Sequence, residues 1–328
     1  FFSKFAQELS QINILFDEYT PHDDTHMKSL LEITDKLLGS ECINNLNGCE
    51  ALILACAIYG HDWGMAVSED EKTFIVTGKI PEGKRKEDFA LIEDEHHHWV
   101  QFANKNGISL NSQGYVENSS NISQEKWREY VRQTHSDRAL SRCRHYFRGD
   151  LDKLGSPIGK VCAAHGYDIS NIRKLDKRKS VGGFSINLQA LAIYIRFIDL
   201  LDVGNNRTPY ALWKFINPSN SISKIEWQKH RALNPMEIYE SKTPHREIMI
   251  HGETNDHRVY AALMDMKRYI ESQVKENVDA LSELEERYQL GMIQVDYSVE
   301  PIGFEPVDIR FEFDRDRMFD LISGEIYD

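Results

Sequence analysis

The sequence predicts a mainly α-helical protein with a polar loop or hairpin insertion and a small C-terminal α+β appendage. Three observations carry that expectation. Apolar residues recur at spacings of three and four in several separate segments, the period that places them on one face of an α-helix. The stretch from 65 to 124 turns polar, with clusters of Gly, Asn, Ser and Lys. Strand-like alternation appears only near the end of the chain. A hydrophobic share of 41% over 328 residues is enough to bury a large core and lies far from the composition of a disordered chain.

Taken in order, the segment from Thr25 to Leu38 sets Met27, Leu30, Leu31, Thr34, Leu37 and Leu38 on one helical face, and His26 opens it. The run from Cys49 to Tyr59 is rich in Ala and Leu and too densely apolar for a surface helix, so a central core helix is expected. It stops at Gly60, directly before His61-Asp62-Trp63-Gly64. Residues 65 to 124 read as an insertion of loops or a hairpin, with a short helix at 89 to 104. Helical patterning resumes over Gln124 to His145, Ile158 to His165 and Ser185 to Asp202; in the last of these, Leu188, Ala192, Ile195 and Asp199 share a stripe. After Asn234 the pattern changes to a strand at Glu247 to His251, a long charged helix from His257 to Tyr288, and β-like alternation from Val295 to Asp314. Residues 1–235 are therefore expected to form the main domain and 236–328 an extension.

Composition narrows the function. No stretch approaches the roughly 18 to 20 apolar residues of a membrane-spanning helix, no membrane role is expected, and the start Phe1-Phe2-Ser3-Lys4-Phe5 lacks a signal peptide's apolar run. A cytoplasmic location is the expectation. With no initiator Met, the chain reads as a fragment. The five cysteines (Cys42, Cys49, Cys56, Cys143, Cys162) are odd in number and never spaced Cys-x-x-Cys, which points to inert thiols rather than a disulfide framework or zinc knuckle. A net charge of −13 argues against a protein that coats nucleic acid. Residues 126 to 180, however, hold 14 Lys and Arg against 6 Asp and Glu, a basic segment able to attract phosphate. The composition is compatible with a homo-oligomer.

Asp62 and Asp199, with histidines at helix ends or on apolar faces, form an expensive arrangement unless a cation neutralises the carboxylates. Adjacent His61 and Asp62 at a helix terminus can point both side chains at one ion, and Asp199 can approach it from another helix. Imidazole nitrogen and carboxylate oxygen suit Mn, Fe, Co, Ni or Zn, and Mg where oxygens dominate. His96, His97 and His98 are consecutive, so on a helix they point in three directions and are expected at the surface. His22 is an alternative first ligand, but the helical context favours His26.

The order His26, His61-Asp62, Asp199 resembles the H…HD…D pattern of the HD phosphohydrolase superfamily. The local contexts are similar too: ILACAIYGHDWGMA (53–66) to the apolar helix and HD-x-G of that superfamily, and RFIDLLDVGNN (196–206) to its last-ligand helix, with Asp199 rather than Asp202 in the ligand place. VRQTHSDRAL (131–140) and VCAAHGYDI (161–169) put His135 and His165 where binuclear members carry two further histidines. The resemblance implies an HD-domain helical bundle holding a divalent metal, two ions in the binuclear form, with Asp62 and Asp199 as catalytic carboxylates and a nucleotide or nucleic-acid phosphoester as substrate. Both the nucleotide-cleaving HD enzymes and the HD nuclease domain of CRISPR helicases fit that implication. Where many binuclear members follow HD-x-G with Lys, this chain has Met65; phosphate contacts are then expected from Arg138, Arg142 and Arg196.

The C-terminal stretch FEFDRDRMFDLISGEIYD (311–328) is similar to the segment between an HD domain and a fused GHKL-type ATPase domain in bacterial proteins. That resemblance implies a linker toward such a partner domain, a role in bacterial defence, and an alternative function: a catalytically silent nucleotide-sensing module coupled to the ATPase.

Overall fold

The computed structural model describes residues 8–9, 11–18, 24–147, 149, 152–208, 216, 218, 221–240 and 245–306. His22 and the segment 311–328 lie outside them. The helices in chain order are α1 (Ile12–Leu15), α2 (Asp24–Asn45, broken at Gly39), α3 (Gly48–Gly60), α4 (Glu69–Thr77), α5 (His96–Lys105), α6 (Gln124–Tyr146), α7 (Asp152–Ala163), α8 (Ile169–Ile172), α9 (Leu188–Leu200), α10 (Ser221–Ala232) and α11 (His257–Ser282). The strands are β1 (Lys179–Val181), β2 (Phe184–Ile186), β3 (Glu237–Glu240), β4 (His245–Thr254) and β5 (Met292–Pro301). The architecture is the mainly α-helical one expected, with a small strand region at the C-terminal end.

The two densest apolar runs become the two central helices. α3 starts at a capping box in which the Asn47 side chain accepts from the Glu50 amide and Glu50 accepts from the Asn47 amide. α9 starts at Asn187, whose side chain accepts from the Ala190 amide, and buries Leu188, Leu191, Ile193, Ile195, Phe197 and Ile198. Each such side chain contributes about 1.5–3 kcal/mol when fully removed from water. Helices α6 and α7 pack beside them closely enough that a Cβ on Gly155 or Gly159 would meet α6 at 2.9 Å and 2.8 Å.

The insertion departs from expectation. The described residues of 65–124 hold no strand; Phe74 to Val76, which reads as a short apolar piece, lies inside α4. The physical reason is a cap: the Ser68 hydroxyl accepts from the Glu71 amide and the Glu71 carboxylate accepts from the Ser68 amide, which starts a helix where the composition reads as loop. A 3-10 segment, Lys86–Glu95, leads from there into α5. The hairpin is elsewhere, at β1–β2, where Val181 pairs with Phe184 across Gly182 and Gly183. Both glycines have positive φ, 55° and 87°, as a tight two-residue turn demands.

The C-terminal strands form a sheet in the order β3-β4-β5, antiparallel then parallel. The long charged helix ends at Ser282 rather than Tyr288, and a separate 3-10 turn spans Glu286–Tyr288. The extension shares the main core instead of standing apart from it. Tyr288 donates to buried Glu50 at 2.6 Å, Tyr194 to the Tyr288 carbonyl at 2.7 Å, and Arg246 to the Leu38 carbonyl at 2.9 Å.

Cys42, Cys56, Cys143 and Cys162 are buried and Cys49 is half-buried, all as free thiols. Burial pushes the Cys56 thiol up to about 12, which makes it inert at neutral pH. Among the described residues no single helix is long and apolar enough to cross a membrane.

Candidate metal centre

The turn that carries the site follows α3 without a loop. His61–Met65 continues as a 3-10 helix, buried throughout, and His61 Nδ1 donates to the Ile58 carbonyl at 3.0 Å. Gly64 is required there: a Cβ on it would meet the His135 carbonyl oxygen of α6 at 1.9 Å. The close approach sets the His61–Asp62 pair against the helix that bears His135.

Four imidazoles converge on Asp62. His61 Nε2 lies 3.0 Å and His26 Nε2 3.7 Å from Asp62 Oδ2; His165 Nε2 lies 3.9 Å from the other oxygen, Oδ1. His135 and His165 face each other through Nε2 at 2.8 Å. Asp199, from α9, brings Oδ1 to 3.6 Å from His61 Nε2. Two groups result, His26 with His61 and Asp62, and Asp62 with His135 and His165, each with its candidate ligand atoms within 4.8 Å of one another. Among the described residues these are the groups that could hold a metal ion. His96, His97 and His98 stand at the start of α5; His96 stacks on Tyr115 and His97 is exposed.

Each ring is oriented from behind. His26 Nδ1 pairs with Asp202 Oδ2 at 2.6 Å, His135 Nδ1 with the Arg132 carbonyl at 2.7 Å, and His165 Nδ1 with the Cys162 carbonyl at 2.6 Å. A proton fixed on Nδ1 leaves Nε2 as a lone pair, the state in which histidine binds metal. Asp202 was not expected in this role. It is braced by Ser29 at 2.6 Å and Arg207 at 3.2 Å. The only sequence sign of it is a second acid three residues after Asp199.

The electrostatics favour a cation. Burial pulls the His61 imidazole down, but the Asp62 carboxylate, helped by Asp199, outweighs burial and raises it to about 9. Burial, followed by His135 and His61, pulls His165 down to about 4. Burial works to raise Asp202, yet the His26 hydrogen bond and Arg207 hold it down at about 2. His61 Nε2 is sealed from solvent and, although near Asp62, lacks the alignment of a hydrogen bond. The lone pairs of His135 and His165 oppose one another at 2.8 Å unless a positive charge joins them. The donor set fits a metal ion on both counts.

The three arginines expected to meet phosphate are engaged inside the fold. Arg138 is 0% exposed, donates to the Gly64 carbonyl at 2.8 Å and pairs with Glu95. Arg142 pairs with Glu71 at 2.7 Å, and Arg196 bonds Asn277 at 2.7 Å and Gln273. Their physical reason is burial: a guanidinium taken out of water keeps a fixed acceptor or carboxylate. Two further arginines of the basic segment form pairs at the surface instead, Arg128 with Asp17 and Arg173 with Glu283, each at 2.6 Å.

A helical bundle that sets an adjacent His-Asp pair at the end of its core helix, against further histidines and an acid from neighbouring helices, is an HD-type domain. The chain belongs to the HD-CE family, whose model matches residues 16–276. That match runs past position 235 and includes most of α11. No curated protein and no solved structure matches the chain.

Proposed function

We propose that this chain is a divalent-metal-dependent phosphohydrolase acting on a phosphoester of a nucleotide or nucleic acid. One observation carries the reading: Asp62 turns one carboxylate oxygen to the His26–His61 group and the other toward His165 of the second group. A carboxylate shared in this way supports the binuclear reading, in which His26, His61, Asp62 and Asp199 would hold one ion and Asp62, His135 and His165 a second. The imidazole-rich set favours Mn, Fe, Co, Ni or Zn over Mg.

When bound, such ions polarise a phosphoryl oxygen and make water a stronger acid. The chain's own residues do the rest. Asp62, with an 11% exposed side chain, is held among the rings and serves to fix geometry. Asp199 is the more open carboxylate at 31%, which supports a role for it in accepting a proton from an attacking water. His26, His135 and His165, each held at Nδ1, present Nε2 without reorganisation. With Arg138, Arg142 and Arg196 engaged internally, charge on the phosphoryl group falls to the metal rather than to these arginines.

The test is product release, read by mass spectrometry, from nucleotides, cyclic nucleotides, oligonucleotides and single-stranded DNA and RNA with each candidate metal, comparing wild type with Asp62→Ala. Turnover lost in the variant supports the enzyme and names the substrate. Stoichiometric metal without turnover favours the silent sensor coupled to a GHKL-type ATPase domain. Absence of bound metal overturns both.

A further inference from the structure

The ligand turn His61–Met65 is five residues of 3-10 helix, a short and poorly self-supporting element, yet it carries the carboxylate that both ligand groups share. What holds it comes from far along the chain. Arg138 Nε donates to the Gly64 carbonyl, and the guanidinium is gripped by Glu95 at the end of the 3-10 segment Lys86–Glu95. One turn further along α6, Arg142 lies 5.8 Å over the Trp63 ring and pairs with Glu71 of α4 at 2.7 Å. Glu71 has two tasks: Oε2 closes the cap on Ser68 at 2.8 Å while Oε1 takes Arg142. Glu8 adds a hydrogen bond from Trp63 Nε1 at 2.5 Å.

We propose that Arg138, Glu95, Arg142 and Glu71 are positioning residues that clamp the His61–Met65 turn onto α6, so that the insertion 65–124 sets the distance between Asp62 and the His135–His165 pair. The inference deepens the metal-centre reading and rests on it. Stability does not account for the clamp. A buried ion pair roughly cancels its Coulomb gain against desolvation, and here Glu95 Oε1, Arg138 Nη2 and Arg142 Nε are buried without a hydrogen-bond partner among the described residues. Geometry does account for it: both pairs converge on one five-residue turn, and both arginines stand on the helix that bears His135, three residues before Arg138. A displacement of Glu95 moves Arg138, and Gly64 with it, relative to a ligand of the second group on the same helix.

Two measurements test the clamp, with Mn2+ as the probe. In the full wild-type chain, Mn2+ loading slows amide hydrogen exchange in 86–95 as well as in 61–65, because coupling between site and clamp is reciprocal. In the double variant Glu95→Gln/Arg138→Met, which removes both charges together, circular dichroism stays helical while Mn2+ affinity falls about 10- to 100-fold, the range of lost ligand support. The electron paramagnetic resonance signal of a coupled Mn2+ pair also gives way to that of isolated ions. Wild-type binding with no protection in 86–95 and unchanged affinity in the variant overturns the clamp alone. Failure of wild type to bind Mn2+ overturns the metal-centre reading and the clamp with it. Should the variant not fold, the wild-type exchange experiment decides.

Discussion

Nδ1 of His26 and Oδ2 of Asp202 lie 2.6 Å apart across 176 positions of sequence. The contact fixes the His26 proton on the face away from Asp62. It also joins the first turn of α2 to the end of the helix that supplies Asp199, so two ligands from opposite ends of the domain share one brace.

Asp202→Ala is therefore expected to weaken Mn2+ binding about 10- to 100-fold without touching a ligand. Isothermal titration calorimetry reads this directly. An affinity equal to wild type would show that His26 holds its orientation by packing alone.

Gly64→Ala is expected to be among the most damaging small substitutions in the chain. Its Cβ would fall 1.9 Å from the His135 carbonyl oxygen, a backbone atom that cannot rotate away. Overpacking of this kind costs about 1–3 kcal/mol or more. Urea unfolding measures the loss in stability, and a midpoint unchanged from wild type would place the turn further from α6 than described.

Metal removal lowers stability. An ion bound by the native state alone adds RT ln(1 + [L]/Kd), about 2.7 kcal/mol at a hundredfold excess over Kd. Thermal unfolding of wild type should thus shift upward on adding Mn2+ and return on chelation, whereas Asp62→Ala shows little shift. Equal shifts in both proteins would locate the stabilising ion elsewhere.

His230 predicts a pH dependence that involves no metal ligand directly. Burial, then the nearby Arg207, pulls its imidazole down to about 3 from 6.5, with Asp202 acting the other way. Between those values the unfolded chain binds a proton that the folded chain does not. Its contribution is accordingly full above about pH 6.5 and is lost as pH falls toward 3, with a slope of at most about 1.4 kcal/mol per pH unit. His230→Gln should lose less stability than wild type between pH 7 and 5 in urea titrations. Parallel curves would show that His230 is protonated in the folded state.

The parts of the fold legible in the sequence are those where one signal dominates. α3 and α9 are so densely apolar that a core position follows from composition, and Gly60 marks where α3 yields to the ligand turn. α4 was less legible because its acidic first turn resembles loop composition; the Ser68–Glu71 cap is the signal that identifies it. The six residues expected to hold metal meet at one locus, since helix ends and apolar faces point inward together. The partners of Arg138 and Arg142 could not be read in advance. Glu95 and Glu71 stand 43 and 71 positions away in a segment that reads as surface, and only folding brings them inside. The bracing role of Asp202, set aside in favour of Asp199 as ligand, could not be read in advance because a buried acid beside a ligand differs from the ligand in hydrogen bonds, not in sequence.

The parallel pairing of β4 with β5 has a consequence for how the chain is made. Parallel neighbours cannot be joined by a tight turn, and here α11 forms the crossover between Thr254 and Met292. During synthesis β4 emerges with β3 on one side and nothing yet available for the other. Until residue 301 leaves the ribosome, that open edge, with Ile248 and Ile250 alongside it, is a template for pairing with another nascent chain. While α11 and β5 are being translated the β4 edge has no partner of its own chain, so a slower passage through that interval is expected to raise aggregation of the nascent chain.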